Sequence, residues 1–175
     1  MGVHHLAFAT RDTDANHRFY TEAMGFELVK VEVANMGGGW AKHLFYSTGP
    51  ARDQMIAFWE LHDPGLPDDW SADISRGQGL PPGVNHLAFS AADLDDLARH
   101  RERWLAAGHD VMEIDHDWCV SIYTEDPNGI LVEFCTLTRD FSAEDRAEAL
   151  RLLADPQPTP RDGAKGRKIY KAADA

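Results

Sequence analysis

Cysteine is scarce in this 175-residue chain: Cys119 and Cys135 are its only two, and neither sits in a CxxC pair. That argues against a disulfide framework and against a thiolate zinc site. Both thiols fall in strand-like segments and read as buried and free. Long apolar runs are also missing; no stretch approaches the ~18 residues of a membrane-spanning helix. Basic charge is the third shortage, with 17 Lys and Arg against 29 Asp and Glu and a formal charge of −12. Nucleic acid and anionic membranes attract basic surfaces, so neither is expected as a partner. The one basic cluster, Arg161 to Lys171, reads as a solvated terminus. The chain opens directly into a strand pattern, without a basic and then apolar leader, so a cytoplasmic protein is expected.

What the chain does contain is a repeat. His5-Leu6-Ala7-Phe8 recurs as His86-Leu87-Ala88-Phe89, and each copy is followed by an aspartate seven positions after its histidine, Asp12 and Asp93. Each then enters a helix-like stretch that stops at a glycine, Gly25 and Gly108. Strand-like segments follow at 26–33, 40–47 and 54–61 in the first half, and at 109–114, 118–124 and 130–136 in the second. A proline- and glycine-rich linker, 62–83, separates the halves. Asp126-Pro127-Asn128-Gly129 has the residues of a tight turn. The expected fold class is therefore α+β, with two tandem βαβββ modules, 3–61 and 84–136. They form a single domain over 1–138, followed at 139–175 by a C-terminal helix and a flexible or docked tail. Ser142 and Asp145 form a capping-box-like start for that helix.

The repeat also repeats chemistry. Strand side chains alternate between faces. His5 therefore shares its face with Ala7 and Ala9, and His86 shares its face with Ala88 and Ser90. Those faces are small and leave room for a ligand. Each half closes on an apolar strand that holds a glutamate, Glu60 after Phe58-Trp59 and Glu133 after Leu131-Val132. A carboxylate in so apolar a strand must reach a cavity, a partner or a metal, because an unpaired buried charge is too costly. His5, Glu60, His86 and Glu133 are thus the expected ligands of one divalent metal. Imidazole and carboxylate donors suit Ni, Zn, Co, Mn or Fe(II). Singly, a strand histidine or a strand-end glutamate reads as packing; the repetition is what favours ligation.

These residues and the DPNG turn before Glu133 resemble the vicinal oxygen chelate superfamily. It includes glyoxalase I, extradiol dioxygenases, methylmalonyl-CoA epimerase and the fosfomycin and bleomycin resistance proteins. The resemblance covers residues 3 to about 136. It implies curved sheets around a metal that holds a small oxygen-bearing substrate, and a homodimer. It also implies one of three functions. A glyoxalase-like isomerase or lyase would use all four ligands, with Glu60 or Glu133 as general base. An extradiol ring-cleaving dioxygenase would use His5, His86 and Glu133 on Fe(II), with Tyr123 in the active site. A non-catalytic small-ligand-binding module would lack metal. The first is favoured here because of Glu60, although Ala9 stands where a glutathione-binding arginine is expected. His43 is a further candidate, as a proton shuttle or substrate contact. His116 and the rings of Trp40, Trp59 and Trp118 are weaker ones.

Overall fold

The computed structural model describes residues 2–50, 54–160 and 163–173. Arg161, the start of the basic cluster, lies outside them. The first module runs β1 (His5–Thr10), α1 (Thr13–Arg18), β2 (Glu27–Asn35), β3 (Trp40–Ser47) and β4 (Met55–His62). The second runs β5 (His86–Ser90), α2 (Leu94–Ala106), β6 (Val111–Asp115), β7 (Cys119–Glu125) and β8 (Leu131–Leu137). Helix α3 (Ala143–Ala154) and strand β9 (Gly166–Tyr170) complete the chain. The first sheet has the order β1-β4-β3-β2 and the second β5-β8-β7-β6-β9. In each module the outer pair, β1–β4 or β5–β8, is parallel and the rest is antiparallel.

Both first helices start at the expected aspartates. Asp12 accepts from Ala15 N and Asp93 from Asp96 N, so each side chain satisfies one of the N–H groups that a helix start leaves open. Helix α1 then widens into a π-helical turn, Phe19–Ala23, where Met24 N bonds Phe19 O at 2.9 Å. The wider turn buries Phe19, Tyr20, Ala23 and Met24 together. Gly25 ends it with φ +75°, and the Arg103 guanidinium crosses the space that a Cβ would fill to reach Met24 O. Only glycine suits both demands.

One core joins the modules. Tyr20 packs on Phe58 of β4, while Phe26 meets Phe89 of β5 and Phe134 of β8. His100 and Trp104 of α2 cover Phe134 from the other side. Across the modules, Tyr20 Oη donates to Asp126 at 2.9 Å and Asn128 Nδ2 to Asn16 Oδ1 at 2.9 Å. The DPNG turn is thus a junction: the buried Asp126 carboxylate also accepts from the backbone of Asn128 and Ile130. The core takes the helix-facing side of each sheet; on the opposite side His5 and His86 are exposed, while His43, Ala57, Ser121 and Glu133 are buried.

The C-terminal segment is docked, and it extends the second sheet. β9 pairs antiparallel with β6, and Lys168 and Lys171 reach Glu113 at 2.8 Å and Asp110 at 2.5 Å. Arg101 lies 4.6 Å from the centre of the Tyr170 ring. Helix α3 has the expected capping box but buries no residue. Cys119 is buried and Cys135 only half-buried, both as free thiols. Among the described residues no helix is long and apolar enough to cross a membrane.

Candidate metal centre

The second module assembles two of the four expected donors. Ala88 of β5 lies directly opposite Glu133 of β8, which puts His86, two positions away, on the same face. His86 Nε2 stands 3.2 Å from Glu133 Oε2. The other ring nitrogen, Nδ1, donates to Gly83 O at 3.1 Å. That bond engages Nδ1 and turns Nε2 towards the carboxylate, the arrangement in which a metal-binding histidine presents its ligating nitrogen. Glu133 is buried and holds its partner from the small face of the sheet. Next to it, Tyr123 of β7 is directly cross-strand, and its hydroxyl is hydrogen-bonded to His116 Nε2 at 3.0 Å. Burial pushes the Tyr123 phenol up to about 12; the Glu133 charge adds to this and a hydrogen bond with Ser121 opposes it. The phenol is therefore a donor at neutral pH.

The first module presents the matching face. His5 has a ring nitrogen 2.8 Å from His4 and lies edge-on to His43 and Phe45, at ring-centre distances of 6.3 and 5.6 Å. His43 is stacked on Trp59 at 3.7 Å, and its Nε2 is buried without a partner. Burial lowers the His43 pKa, nearby His5 lowers it further, and Glu32 works against them.

Glu60 is elsewhere. It lies opposite Thr10 in β1, one step out of phase with His5, Ala7 and Ala9. Its side chain is therefore on the helix-facing side of the sheet, where it lines a cleft of about 580 Å³. There it accepts from Thr13 Oγ1 at 2.9 Å, Lys42 Nζ at 2.9 Å and His62 Nε2 at 2.6 Å. Burial raises its pKa, but the His62, Lys42 and Thr13 hydrogen bonds outweigh that and pull it down to about 2. The expected grouping of Glu60 with His5 is not what the strands form. Ala57 faces Ala7 in β1 as Glu133 faces Ala88 in β5. The first module's counterpart of Glu133 is thus an alanine, with no donor to give. The position was hidden in the sequence because it depends on the register between two distant strands.

Among the described residues no group of three histidine, cysteine or carboxylate side chains is close enough to hold a metal. His86 and Glu133 are together, whereas His5 is not joined to them within one chain.

The profile of the Glyoxalase/Bleomycin resistance protein/Dioxygenase superfamily matches residues 2–134. The chain belongs to this superfamily. A curated relative, 3-methylcatechol 2,3-dioxygenase of Pseudomonas putida, is 26% identical over 137 residues. That match takes 77% of this chain but only 41% of the relative, so the chain spans less than half of that enzyme's length. A glyoxylase/bleomycin resistance protein/dioxygenase domain from Frankia sp. EAN1pec is similar in fold. Its TM-score is 0.57 at 23% identity, over 78% of this chain and 98% of that one. A lactoylglutathione lyase from Agrobacterium tumefaciens gives 0.50 at 23% identity, over 77% and 92%. Superfamily members of this fold thus include both chemistries that the sequence had put forward.

Proposed function

We propose that the protein is a metal-dependent, extradiol-type dioxygenase acting on a small catechol-like substrate, with His5, His86 and Glu133 as the metal's protein ligands. The observation that carries this reading is Ala57. With alanine opposite Ala7 and Glu60 turned to the other face, a four-ligand set with a glutamate from each module has no second glutamate. Two imidazoles and one carboxylate fit an ion such as Fe(II) or Mn(II) with positions left over. The His86–Glu133 separation and the engaged Nδ1 of His86 suit such an ion. When bound, the metal would hold the substrate's neighbouring oxygens and oxygen gas together and act on them as a Lewis acid and redox centre. The 3-methylcatechol dioxygenase relative supports the same class. The glyoxalase-like reading relied on Glu60 and loses its main support.

The chain's own residues have separable tasks. Glu133 supplies a carboxylate and His86 an imidazole from a parallel strand pair. Tyr123, held by His116, presents a phenol beside Glu133 and orients an oxygen of the substrate. His43 brings a buried, unpartnered ring nitrogen to the His5 face, where it is placed to take a hydroxyl proton from the substrate. Because His5 is exposed on the face of the first sheet opposite the core, we further propose a homodimer. In it the first sheet of one copy supplies His5 to the His86–Glu133 pair of the other.

The test is oxygen uptake. Protein loaded anaerobically with Fe(II) and mixed with catechols should consume oxygen and release a coloured ring-opened product. Turnover of the thiol adduct of an α-ketoaldehyde without oxygen uptake would overturn the assignment in favour of the isomerase.

A further inference from the structure

The face that carries Glu133 does not end at β6. Glu133 lies opposite Tyr123, Tyr123 opposite Met112, and Met112 opposite Ile169 of β9. Residues directly opposite one another share a face, so these four form one row across the sheet. Arg167, two positions before Ile169 on the same strand, is on that face as well. Neighbouring strands are about 4.8 Å apart, so Met112, two strands from Glu133, stands about 10 Å from it.

Arg167 differs from the other cations of its segment. Lys165 pairs with Asp117, Lys168 with Glu113 and Lys171 with Asp110. Glu113 and Asp115, the carboxylates one register step to either side, are on the opposite face, where Arg101 and Tyr170 also bind Glu113. Among the described residues no carboxylate pairs with Arg167. Its Nη2 instead lies against Met112 Sδ of β6, which is opposite Tyr123 in register. A thioether is a weak acceptor. A planar guanidinium beside Met112, Ile114 and Ile169, with only a thioether against it, is available to a stronger acceptor. A carboxylate matches it through two parallel hydrogen bonds.

We propose that Arg167 determines substrate specificity: it binds a carboxylate on the substrate's side chain while the catechol end lies at His86 and Glu133. The preferred substrate is then a catechol with a short acidic side chain, and not one with an alkyl group alone. This rests on the placement of the reacting centre at the His5, His86 and Glu133 positions. It also gives the C-terminal strand a role in the site, since β9 carries the residue in.

Binding can be measured without turnover in the full chain loaded with Zn(II), which is redox-inert. The probes are a catechol with a propionate side chain and its methyl ester, titrated against tryptophan fluorescence. Wild type should prefer the acid by roughly tenfold or more, as expected for a charge-assisted pair. Arg167→Ala should reduce that ratio to near one, and Arg167→Lys should keep part of it. Amide exchange at 166–170 should be unchanged in both variants, so that a lost preference is not a lost strand. An unchanged ratio in Arg167→Ala, no preference in wild type, or no binding of either probe overturns the proposal. The Fe(II) protein separates it from the reaction assignment. Arg167-dependent binding without oxygen uptake keeps the anion site and overturns the dioxygenase. Oxygen uptake with a ratio of KM values indifferent to Arg167 does the reverse.

Discussion

The Glu60 carboxylate collects three donors within 2.9 Å on the face of the sheet opposite His5, and these explain its low pKa. Folding lowers its pKa from the ordinary 4.5 to about 2. A carboxylate with a depressed folded pKa adds stability that is present above about 4.5 and lost as the pH falls towards 2. Each unit corresponds to about 1.4 kcal/mol, and solvent screening at the half-exposed Lys42 and His62 reduces the total to about 1–3 kcal/mol. Glu60→Gln should therefore be less stable than wild type at pH 7 and should flatten the acid limb of denaturant-melt stability between about 4.5 and 2. Its metal content should be unchanged. His86→Ala and Glu133→Gln, in contrast, should reduce metal content to background in elemental analysis while the protein stays folded. A Glu60→Gln variant that loses metal would return Glu60 to the ligand set. Alternation within β1 was enough to group His5 with Ala7 and Ala9, and alternation within β5 grouped His86 with Ala88. What it could not provide was the phase of β4 against β1, which the loops between them set. A one-residue difference in phase decides between Glu60 and its neighbours, and Ala57 carries no side-chain chemistry to attract notice.

Secondary-structure elements were easier to read where a capped helix or an alternating strand had its signal in adjacent residues. The aspartate caps, the glycine stops at Gly25 and Gly108, and the DPNG turn all act over a few positions, and their elements stand where the pattern puts them. β9 was harder because what holds it is non-local. Lys168 and the flanking Lys165 and Lys171 read as a solvated terminus, yet their partners Glu113, Asp117 and Asp110 lie in and beside β6 some fifty residues earlier. The Lys165–Asp117 and Lys171–Asp110 pairs are exposed on both sides and are screened by salt, whereas Glu113 is mostly buried. Raising NaCl from about 0.01 M to 1 M shortens the Debye length from about 30 Å to about 3 Å. Amide protection at 166–170 should therefore decline over that range, while protection in β7 and β8 stays constant. Helix α3 poses the opposite case: it buries nothing, so its cap carries much of its stability. Ser142 Oγ accepts from Asp145 N at 3.1 Å and Asp145 returns a bond to Ser142 N at 2.7 Å. Ser142→Ala should cost the helix about 0.5–2 kcal/mol. Faster amide exchange confined to 143–154, with an unchanged global melting temperature, is the expected signature; a lowered melting temperature would mean that α3 is packed in solution.

At the scale of the whole molecule, duplication was legible from two HLAF copies, but assembly was not, because no pattern along one chain says which module meets which. The core ties the helix-facing sides together through Tyr20, Phe26, Phe89 and Phe134 and leaves His5 and His86 exposed on the opposite faces. A site completed by a second copy makes a prediction that a site closed within one chain does not. His5→Ala and His86→Ala should each be inactive alone, since each removes a ligand from every site. In a heterodimer of the two, one site combines both lesions and the other combines an intact first sheet from the His86→Ala chain with an intact second sheet from the His5→Ala chain. Co-expressed at equal levels, random pairing makes half of the dimers mixed, with one good site of two, so about a quarter of wild-type oxygen uptake should return. If the ligands of each site come from a single chain, every site in the mixture lacks a histidine and no activity returns. The recovered activity should also fall on dilution below the dimer dissociation constant, in step with the loss of dimer on a sizing column, because each active site would then be lost together with its partner.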